Sequence, residues 1–188
     1  MVDHIDRTPT AFGDLRGWID ALRAENELLE VNSEVDWDVE LGTIVRMGQG
    51  TGQGPAFLFN NIKDYNLPDS VSSQVFTGGQ GSYSRLAMMF GLPRDTPVED
   101  LVKICRYIFA ERIAPVNVAT GSVKQNILKG DDIDLYKFPV PQWNRGDGGR
   151  YINTYAGCVT RDPDSEVHNI GIYRGMVLDK NNIGVLLW

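Results

Sequence analysis

Histidine and cysteine are scarce in this sequence, which contains two of each among its 188 residues. Cys105 and Cys158 lie far apart and outside any metal-ligand spacing, so we expect lone thiols in a reducing, cytoplasmic compartment and no disulfide framework. The chain has only two histidines, His4 and His168, as further candidate ligands. A zinc centre made by this chain alone is therefore not expected.

Positive charge and long apolar runs are also in short supply. Lysine and arginine total 18 against 25 aspartates and glutamates, which gives a net charge of −7. Because binding to a phosphate backbone needs a basic face, nucleic acid is not an expected partner. No apolar run approaches the roughly 20 residues that span a bilayer, and the polar start Met1–His4 lacks the form of a signal peptide. The composition predicts an ordinary soluble globular protein with no membrane partner.

Helix and strand patterns alternate through residues 1–115 and predict an N-terminal α/β domain. Apolar residues from Leu15 to Leu22 recur at helical spacing, and a second helix is expected after Asp38, a favourable N-cap. The strongest helix pattern follows the capping box Thr96–Glu99. We expect it to bury Leu101, Ile104, Ile108 and Phe109 against the sheet, with Cys105 on the same face. The other predicted elements are strands at Leu28–Val31, Ala56–Phe59 and Val75–Phe76 and a helix at Ser84–Phe90.

Short β-rich runs replace this alternation after Pro115. Turn residues at Asp162–Ser165 and Asp179–Asn182 join three such runs in sequence. Sequential strands joined by tight turns form an antiparallel meander, the usual start of a β-barrel. We predict a second domain over residues 116–188, an incomplete split β-barrel of the flavin-reductase type, with residues 130–149 as a long surface loop. The three predicted strands are Tyr151–Val159, Asn169–Leu178 and Ile183–Trp188.

The last apolar run, Asn182–Trp188, ends the chain without a polar tail. Domains normally end in exposed, loosely held residues, so this pattern predicts a truncated or proteolysed product. A natural edge strand that ends at Trp188 is the alternative. Because an exposed apolar edge invites pairing with other chains, we expect association or poor order near this end.

Four further patterns have both a functional and a structural interpretation. The glycine-rich stretch Gly48–Gly54 lacks the lysine of a phosphate-binding loop. The stretch Gly78–Ser84 lies between a predicted strand and helix, so its amides could bind an anion, although a plain loop is favoured. The carboxylates of Asp131–Asp134 do not have the spacing of a calcium loop and predict a solvated acidic turn. His168 is either a ligand or a surface residue at a strand start.

Asn169 and Arg174 form the most informative pair in the chain. Side chains of a strand alternate between faces, so their odd offset places them on opposite faces unless a bulge intervenes. A bulge that turns one of them toward a ligand would explain the pair. An amide oxygen suits Mg²⁺, Mn²⁺ or K⁺, and a guanidinium binds carboxylate or phosphate through two parallel hydrogen bonds. From physics alone, the pair predicts an anion-binding site on a β-barrel.

The segment Asn169–Arg174, together with Tyr151–Tyr155 and the turn Asp162–Asp164, resembles the UbiD family of decarboxylases. The similarity extends through essentially the whole chain. It implies a prenylated FMN cofactor, reversible decarboxylation of small aromatic or α,β-unsaturated carboxylic acids, and a homo-oligomer in the complete protein. The further segments that match the family are Leu28–Val31, Phe138–Pro141 and Asp147–Arg150.

The resemblance implies a role for each matching residue. Asn169 matches a ligand of the divalent metal, Mn²⁺ or Mg²⁺, that bridges the cofactor phosphate to the protein. Ile170 matches the position whose carbonyl helps to hold K⁺. Arg174 matches the catalytic arginine that orients the substrate carboxylate and pairs with a glutamate. The positions implied to contact the prenylated flavin are Thr154, Asn169, Ile172, Tyr173, Arg174, Leu186, Leu187 and Trp188.

The chain departs from the family pattern in what would follow Trp188. There the resemblance places a further histidine ligand, a metal-binding glutamate, the catalytic acid and the domain that mediates oligomerisation. We therefore expect the N-terminal portion of an enzyme, inactive by itself and at best a weak flavin binder. Two alternatives stay open: an FMN-binding oxidoreductase of the split-barrel type, and a non-catalytic accessory subunit that is complete at residue 188.

Overall fold

The computed structural model describes residues 11–50, 52–110 and 113–187, so the predictions for Trp188, His4 and Met1–His4 lie outside the described residues. No helix in the described ranges is long and apolar enough to cross a membrane. The helices are α1 (Leu15–Ala24), α2 (Glu40–Gly48), α3 (Tyr83–Met89) and α4 (Val98–Ala110). The strands are β1 (Leu28–Val31), β2 (Ala56–Phe59), β3 (Val75–Thr77), β4 (Tyr151–Asn153), β5 (Gly157–Arg161), β6 (His168–Ile172), β7 (Gly175–Val177) and β8 (Ile183–Val185).

The chain divides into two compact units, each built from separate stretches of sequence. The first comprises the chain up to Glu30, Gly48–Leu58 and Phe76–Ile127. The second comprises Val31–Met47, Phe59–Val75 and the chain from Leu128 onward. A division at residues 115 and 116 remains a prediction. Strands β1, β2 and β3 form one small sheet in that order, and the fully buried strand β2 confirms the prediction for Ala56–Phe59.

Helix α1 begins at a side-chain cap. The Asp14 carboxylate accepts hydrogen bonds from the backbone N–H groups of Arg16, at 2.8 Å, and Gly17, at 3.2 Å. These bonds satisfy donors that the first turn would otherwise leave unpaired. Trp18 and Leu22 are buried in one cluster with Ala56, which confirms the apolar face, whereas Leu15 is 58% exposed.

A buried ion pair joins α3 to the segment after α1 within the first unit. The Arg85 side chain is 0% exposed, and its Nη1 lies 2.8 Å from Oε2 of Glu27, which is 12% exposed. The other Arg85 amino group donates to the Gly54 carbonyl at 2.8 Å, while Glu27 also pairs with Arg94. Nε of Arg85 is buried without a hydrogen-bond partner among the described residues. The guanidinium therefore depends on Glu27 for charge compensation.

Helix α4 packs on α3, and among the described residues the buried cluster that they share contains no residue of the sheet. Leu101 and Ile104 are buried together with Ala87, and Ile108 packs against this cluster half-buried. Phe109 is 75% exposed, so its predicted burial is wrong. Phe109 lies after Ile108, the last residue of α4 that packs against this cluster.

Both helix starts predicted from N-cap residues differ in detail from the structure. Val39 accepts the first hydrogen bond of α2, from Thr43 N at 2.9 Å, so Asp38 is not the N-cap. Val39 has φ of 67°, a left-handed conformation that is rare for a β-branched residue. At the start of α4, Leu101 N donates to the Pro97 carbonyl at 3.1 Å, which places Pro97 at the cap position instead of the first helical position.

Antiparallel pairing organises the C-terminal strands, as predicted. Strands β4, β7 and β8 form one sheet in that order, and β5 pairs with β6 in a second. The first two predicted strands are each interrupted, giving β4 and β5, and β6 and β7. Side chains of Asp162 and Asp179 accept backbone hydrogen bonds in the two predicted turns. Closure of these strands into a split barrel remains a prediction.

The predicted surface loop at residues 130–149 is wrong in its centre. Two 3-10 turns lie at Gly130–Asp132 and Leu135–Lys137, and Pro139, Val140 and Pro141 are buried. Tyr151 N donates to the Pro141 carbonyl at 3.2 Å. The segment is therefore part of the packed second unit.

Acidification is expected to loosen the turn between β5 and β6. Hydrogen bonds from the backbone N–H groups of Ser165 and Asp164 stabilise the charged carboxylate and lower the pKa of Asp162. A lowered folded-state pKa adds stability above the unfolded pKa of about 4, and that stability is lost as pH falls through the folded pKa. Amide hydrogen exchange of Asp164 and Ser165 should quicken as pH falls below about 4, beyond the intrinsic pH dependence. Asp162→Asn should remove this response but leave it at the Asp179 turn, and an unchanged response at Ser165 would contradict the assignment.

Candidate functional site

Tyr173 and Arg174 lie where the chain passes from one sheet to another. Strand β6 pairs with β5, whereas β7 pairs with β4 and β8, and neither residue belongs to a strand. Between Asn169 and Arg174 the chain therefore changes sheet, where the sequence predicted a bulge within one strand. The Tyr173 ring folds back over Gly171 of β6. A Cβ added at Gly171 would lie 2.4 Å from the ring. Asn169 Nδ2 donates to the Tyr173 hydroxyl at 3.4 Å.

A cavity of about 220 Å³ brings Arg174 together with Thr154. The antiparallel register pairs Asn153 of β4 with Gly175 of β7. Thr154 directly follows Asn153, and Arg174 directly precedes Gly175. Because the strands are antiparallel, the two residues lie side by side just beyond the paired ends of β4 and β7. The cavity therefore unites two of the residues that sequence analysis singled out. Its other lining residues are Trp143, Asn144, Asp147 and Tyr151.

Within the described part of the chain, the Arg174 guanidinium has no ion pair and no hydrogen bond. The Arg174 side chain is exposed. An unpaired guanidinium beside a hydroxyl and two aromatic side chains is suited to bind a planar carboxylate.

Among the described residues, the other predicted cofactor contacts do not line this cavity. Asn169, Ile170 and Ile172 are exposed on β6, and Tyr173 is half-buried. Leu186 and Leu187 follow β8 and are exposed as well. Their contacts with a cofactor stay predictions.

The described residues form at most part of a metal site. No group of three or more His, Cys, Asp or Glu side chains within them could hold a metal ion. Asn169 uses its amide nitrogen toward Tyr173, which leaves its oxygen as a hard donor. One amide oxygen and one carbonyl, that of Ile170, fall short of the six oxygens that Mg²⁺ prefers. The arrangement fits a contribution to a metal site and not a complete one.

Sequence analysis missed the hydrogen-bonded turn that carries Asp147 into the cavity lining. The Asp147 carboxylate accepts from Asn144 N at 2.9 Å and from Asn144 Nδ2 at 3.2 Å. Arg46 of α2 donates to the Asn144 side-chain oxygen. Asp147 belongs to a segment that supported the family resemblance, which was the available signal, but no role was assigned to it.

Helix α2 also touches this turn through Gly42. A Cβ at Gly42 would lie 1.9 Å from the Trp143 carbonyl oxygen. Only glycine allows this close approach of helix and turn.

Gly42→Ala is therefore expected to destabilise the protein, although alanine normally favours a helix over glycine by up to about 1 kcal/mol. The added methyl group would force the helix or the turn to shift, and overpacking of this kind costs about 1–3 kcal/mol. Urea unfolding measures the change. Gly146→Ala in the same turn is the matched control, since its Cβ would meet nothing within 4 Å. A Gly42→Ala variant as stable as the control would show that the contact is not tight.

Arg150 fixes the beginning of β4, another role that sequence analysis missed. Its guanidinium carbon lies 4.3 Å from the centre of the Trp37 ring, and Nε donates to the Val140 carbonyl at 2.7 Å. A second guanidinium nitrogen donates to the Tyr65 hydroxyl. The Arg150 carbonyl accepts from Val177 N at 2.8 Å, which ties β4 to β7. The strand that leads to Thr154 is thus held by the residue directly before it.

Two models of carboxy-lyase domains match the chain. Residues 19–105 match the 3-octaprenyl-4-hydroxybenzoate carboxy-lyase N-terminal domain, and residues 115–188 match the Rift-related domain of the same enzymes. The matched ranges leave little of the sequence uncovered. The chain belongs to the UbiD family, as the resemblance of Asn169–Arg174 indicated.

Relatives and solved structures agree with this assignment. Pyrrole-2-carboxylic acid decarboxylase of Pseudomonas aeruginosa is 37% identical over 90% of this chain and 35% of its own length. Vanillic acid decarboxylase of Sedimentibacter hydroxybenzoicus, in its closed form, has a TM-score of 0.82 at 29% identity, over 94% of this chain and 37% of the other. An evolved dimeric form of the UbiD-class enzyme HmfF from Pelotomaculum thermopropionicum, in complex with prFMN, has a TM-score of 0.77 at 29% identity, over 93% and 38%. The chain thus spans a little over a third of the length of these proteins.

Proposed function

We propose that this chain is the N-terminal part of a reversible, non-oxidative decarboxylase of aromatic or α,β-unsaturated carboxylic acids that uses prenylated FMN. The observation that carries the proposal is the unpaired Arg174 guanidinium, which shares a cavity with Thr154 in a UbiD-family chain. The relatives that support it are decarboxylases of aromatic acids, and one structural neighbour was solved with prFMN.

Arg174 would bind and orient the substrate carboxylate. Its planar fork offers two parallel hydrogen bonds, which fix both position and rotation of the carboxylate before CO₂ is lost. Burial of the ligand against Trp143 and Tyr151 would exclude water and strengthen this charge pairing.

Thr154 would hold one edge of the cofactor, since its hydroxyl lies in the same cavity as Arg174. The cofactor would contact this lining at Thr154 and lie mostly outside the cavity. Ile172, Tyr173, Leu186 and Leu187 are the further proposed contacts. When bound, prenylated FMN supplies the electron sink that decarboxylation requires.

Asn169 and the Ile170 carbonyl would contribute oxygen ligands to Mn²⁺ or Mg²⁺ and to K⁺ beside the cofactor phosphate. These two residues alone would make an incomplete metal site, so the proposal requires further ligands. We further propose a cytoplasmic homo-oligomer for the complete protein. The isolated chain should then show no decarboxylation and weak flavin binding.

The proposal is tested by comparing the isolated chain with the protein encoded by the full reading frame around it. We expect that frame to continue past Trp188 and its product to retain prenylated FMN, seen by absorbance, and to release CO₂ from aromatic acids. A frame that stops at Trp188 would contradict the proposal. Tight, stoichiometric prenylated FMN on the isolated chain would contradict its inactive, weakly binding state.

Asn169→Ala in that longer protein is expected to weaken cofactor retention more than it slows turnover by the loaded enzyme. The substitution removes the amide oxygen that would join the metal to the protein, and loss of a metal-supporting group typically costs 10–100-fold in affinity or activity. Cofactor occupancy by absorbance and metal content by elemental analysis measure the effect. Asn181→Ala, at the exposed β7–β8 turn, is the control. Full metal and cofactor content in Asn169→Ala would remove Asn169 from the metal site.

A further inference from the structure

Two opposite charges line the Arg174 cavity without pairing with each other. Arg174 and Asp147 are both lining residues, yet no ion pair within 4.0 Å joins them in the described ranges of the chain. Opposite charges that share a small cavity attract each other, so something must keep Asp147 and Arg174 from forming an ion pair. For Asp147, the hydrogen bonds of its turn hold the carboxylate in place.

Asn144 fixes Asp147 and leaves part of its hydrogen-bonding capacity unused. Oδ2 of Asp147 accepts both the backbone and the side-chain N–H of Asn144, at 2.9 and 3.2 Å. Oδ1 has only a long contact of 3.4 Å with the same Asn144 amide. A carboxylate offers about four acceptor positions, so Oδ1 retains room for a further donor. Arg46 in turn fixes the orientation of the Asn144 side chain by donating a hydrogen bond to its amide oxygen.

We propose that Asp147 determines substrate choice by accepting a hydrogen bond from a ring N–H or O–H of the acid whose carboxylate binds Arg174. The inference rests on the proposed function and narrows its substrate class to single-ring aromatic acids that carry such a donor. An acid that presents an acceptor at this position is disfavoured, because two acceptors would then face each other without a proton between them.

The size of the cavity and its aromatic lining agree with this class. Its volume of about 220 Å³ is below the roughly 300–1,000 Å³ of sites for drug-sized ligands, so it accommodates one ring. Trp143 and Tyr151 supply flat apolar surfaces for that ring.

The test uses two acids of the same shape on the 188-residue chain, without flavin. Pyrrole-2-carboxylate has a ring N–H where furan-2-carboxylate has a ring oxygen. Titrations are followed by two-dimensional NMR and by tryptophan fluorescence, with Trp143→Phe identifying the signal from the cavity. We expect the pyrrole acid to bind roughly 10-fold or more tightly than the furan acid, the range for one hydrogen bond to a charged group.

Asp147→Asn should abolish this preference, because an amide can donate to the furan oxygen as well as accept from the pyrrole N–H. Asp164→Asn, at the exposed β5–β6 turn, is the matched control and should keep it. Arg174→Ala should weaken both acids to the same extent. The wild-type comparison needs no substitution, so it stays decisive if a variant fails to fold.

Equal affinity for the two acids, no detectable binding of either, or a preference that survives Asp147→Asn would each overturn the inference. Failure of the proposed function is recognised separately, by absence of cofactor retention and CO₂ release in the longer protein. A longer protein that decarboxylates while the chain shows no preference would overturn the role of Asp147 alone.

Discussion

Replacing Arg174 by alanine in the longer protein is expected to lower turnover by about 10²–10³-fold while the fold stays intact. The change removes the cation that would bind the substrate carboxylate, and one charge-assisted contact in a preorganised site is worth roughly 2–4 kcal/mol. The fold should tolerate the loss because the Arg174 side chain is exposed and makes no bond within the described residues. CO₂ release measures turnover, and cofactor absorbance confirms loading.

Two further variants give this prediction its controls. Arg174→Lys should restore little activity, because an ammonium group lacks the planar fork of arginine. Arg161→Ala removes an exposed arginine on β5 whose one ion pair among the described residues is with Glu166 at the surface, and this variant should turn over normally. Near-normal turnover in Arg174→Ala would make this residue a structural part of the crossing between sheets.

Replacing Glu27 by alanine is expected to lower the free energy of unfolding by about 3–5 kcal/mol. The substitution would leave the fully buried Arg85 guanidinium without its counter-charge, and Arg94 would lose the same partner. Since small domains are stable by only about 5–15 kcal/mol in total, the urea midpoint should fall steeply. Circular dichroism at increasing urea concentration measures the shift.

An exposed ion pair in the same chain provides the comparison. Glu166→Ala removes the partner of Arg161, whose side chain is 53% exposed, and should cost at most about 1 kcal/mol. The double variant Glu27→Leu, Arg85→Met should recover much of the lost stability, because it removes both buried charges. If Glu27→Ala and Glu166→Ala unfold at the same urea concentration, the burial of Arg85 is wrong.

Local sequence patterns predicted the helices, strands and turns of this fold well where each depends on residues close to it in the sequence. The apolar spacing of α1, the buried run at Ala56–Phe59 and the two aspartate turns each depend on neighbours a few residues apart. Phe109 shows where such patterns stop, since its exposure depends on which residues elsewhere in the chain pack against α4. The helical spacing of α4 contains no information about which residues these are.

The site was predictable to the same degree. The family resemblance singled out Thr154 and Arg174 separately, and only the register of β4 against β7 shows that they lie side by side. The hydrogen bonds that hold Asp147, from Asn144 and through it from Arg46, were not predictable. Arg46 and Asn144 are 98 positions apart, and neither belongs to a recognisable motif. Contacts across such a separation are set by packing, which the sequence does not display locally.

The change of sheet at Tyr173 and Arg174 separates the register of the β5–β6 hairpin from that of the sheet formed by β4, β7 and β8. A residue inserted into the turn Asp162–Ser165 would alter only the β5–β6 hairpin, since β7 keeps its own register with β4 and β8. Arg174 would then remain beside Thr154 despite the change in length. The hairpin tip is therefore a place where a label, tag or binding loop is expected to leave the position of Arg174 unchanged.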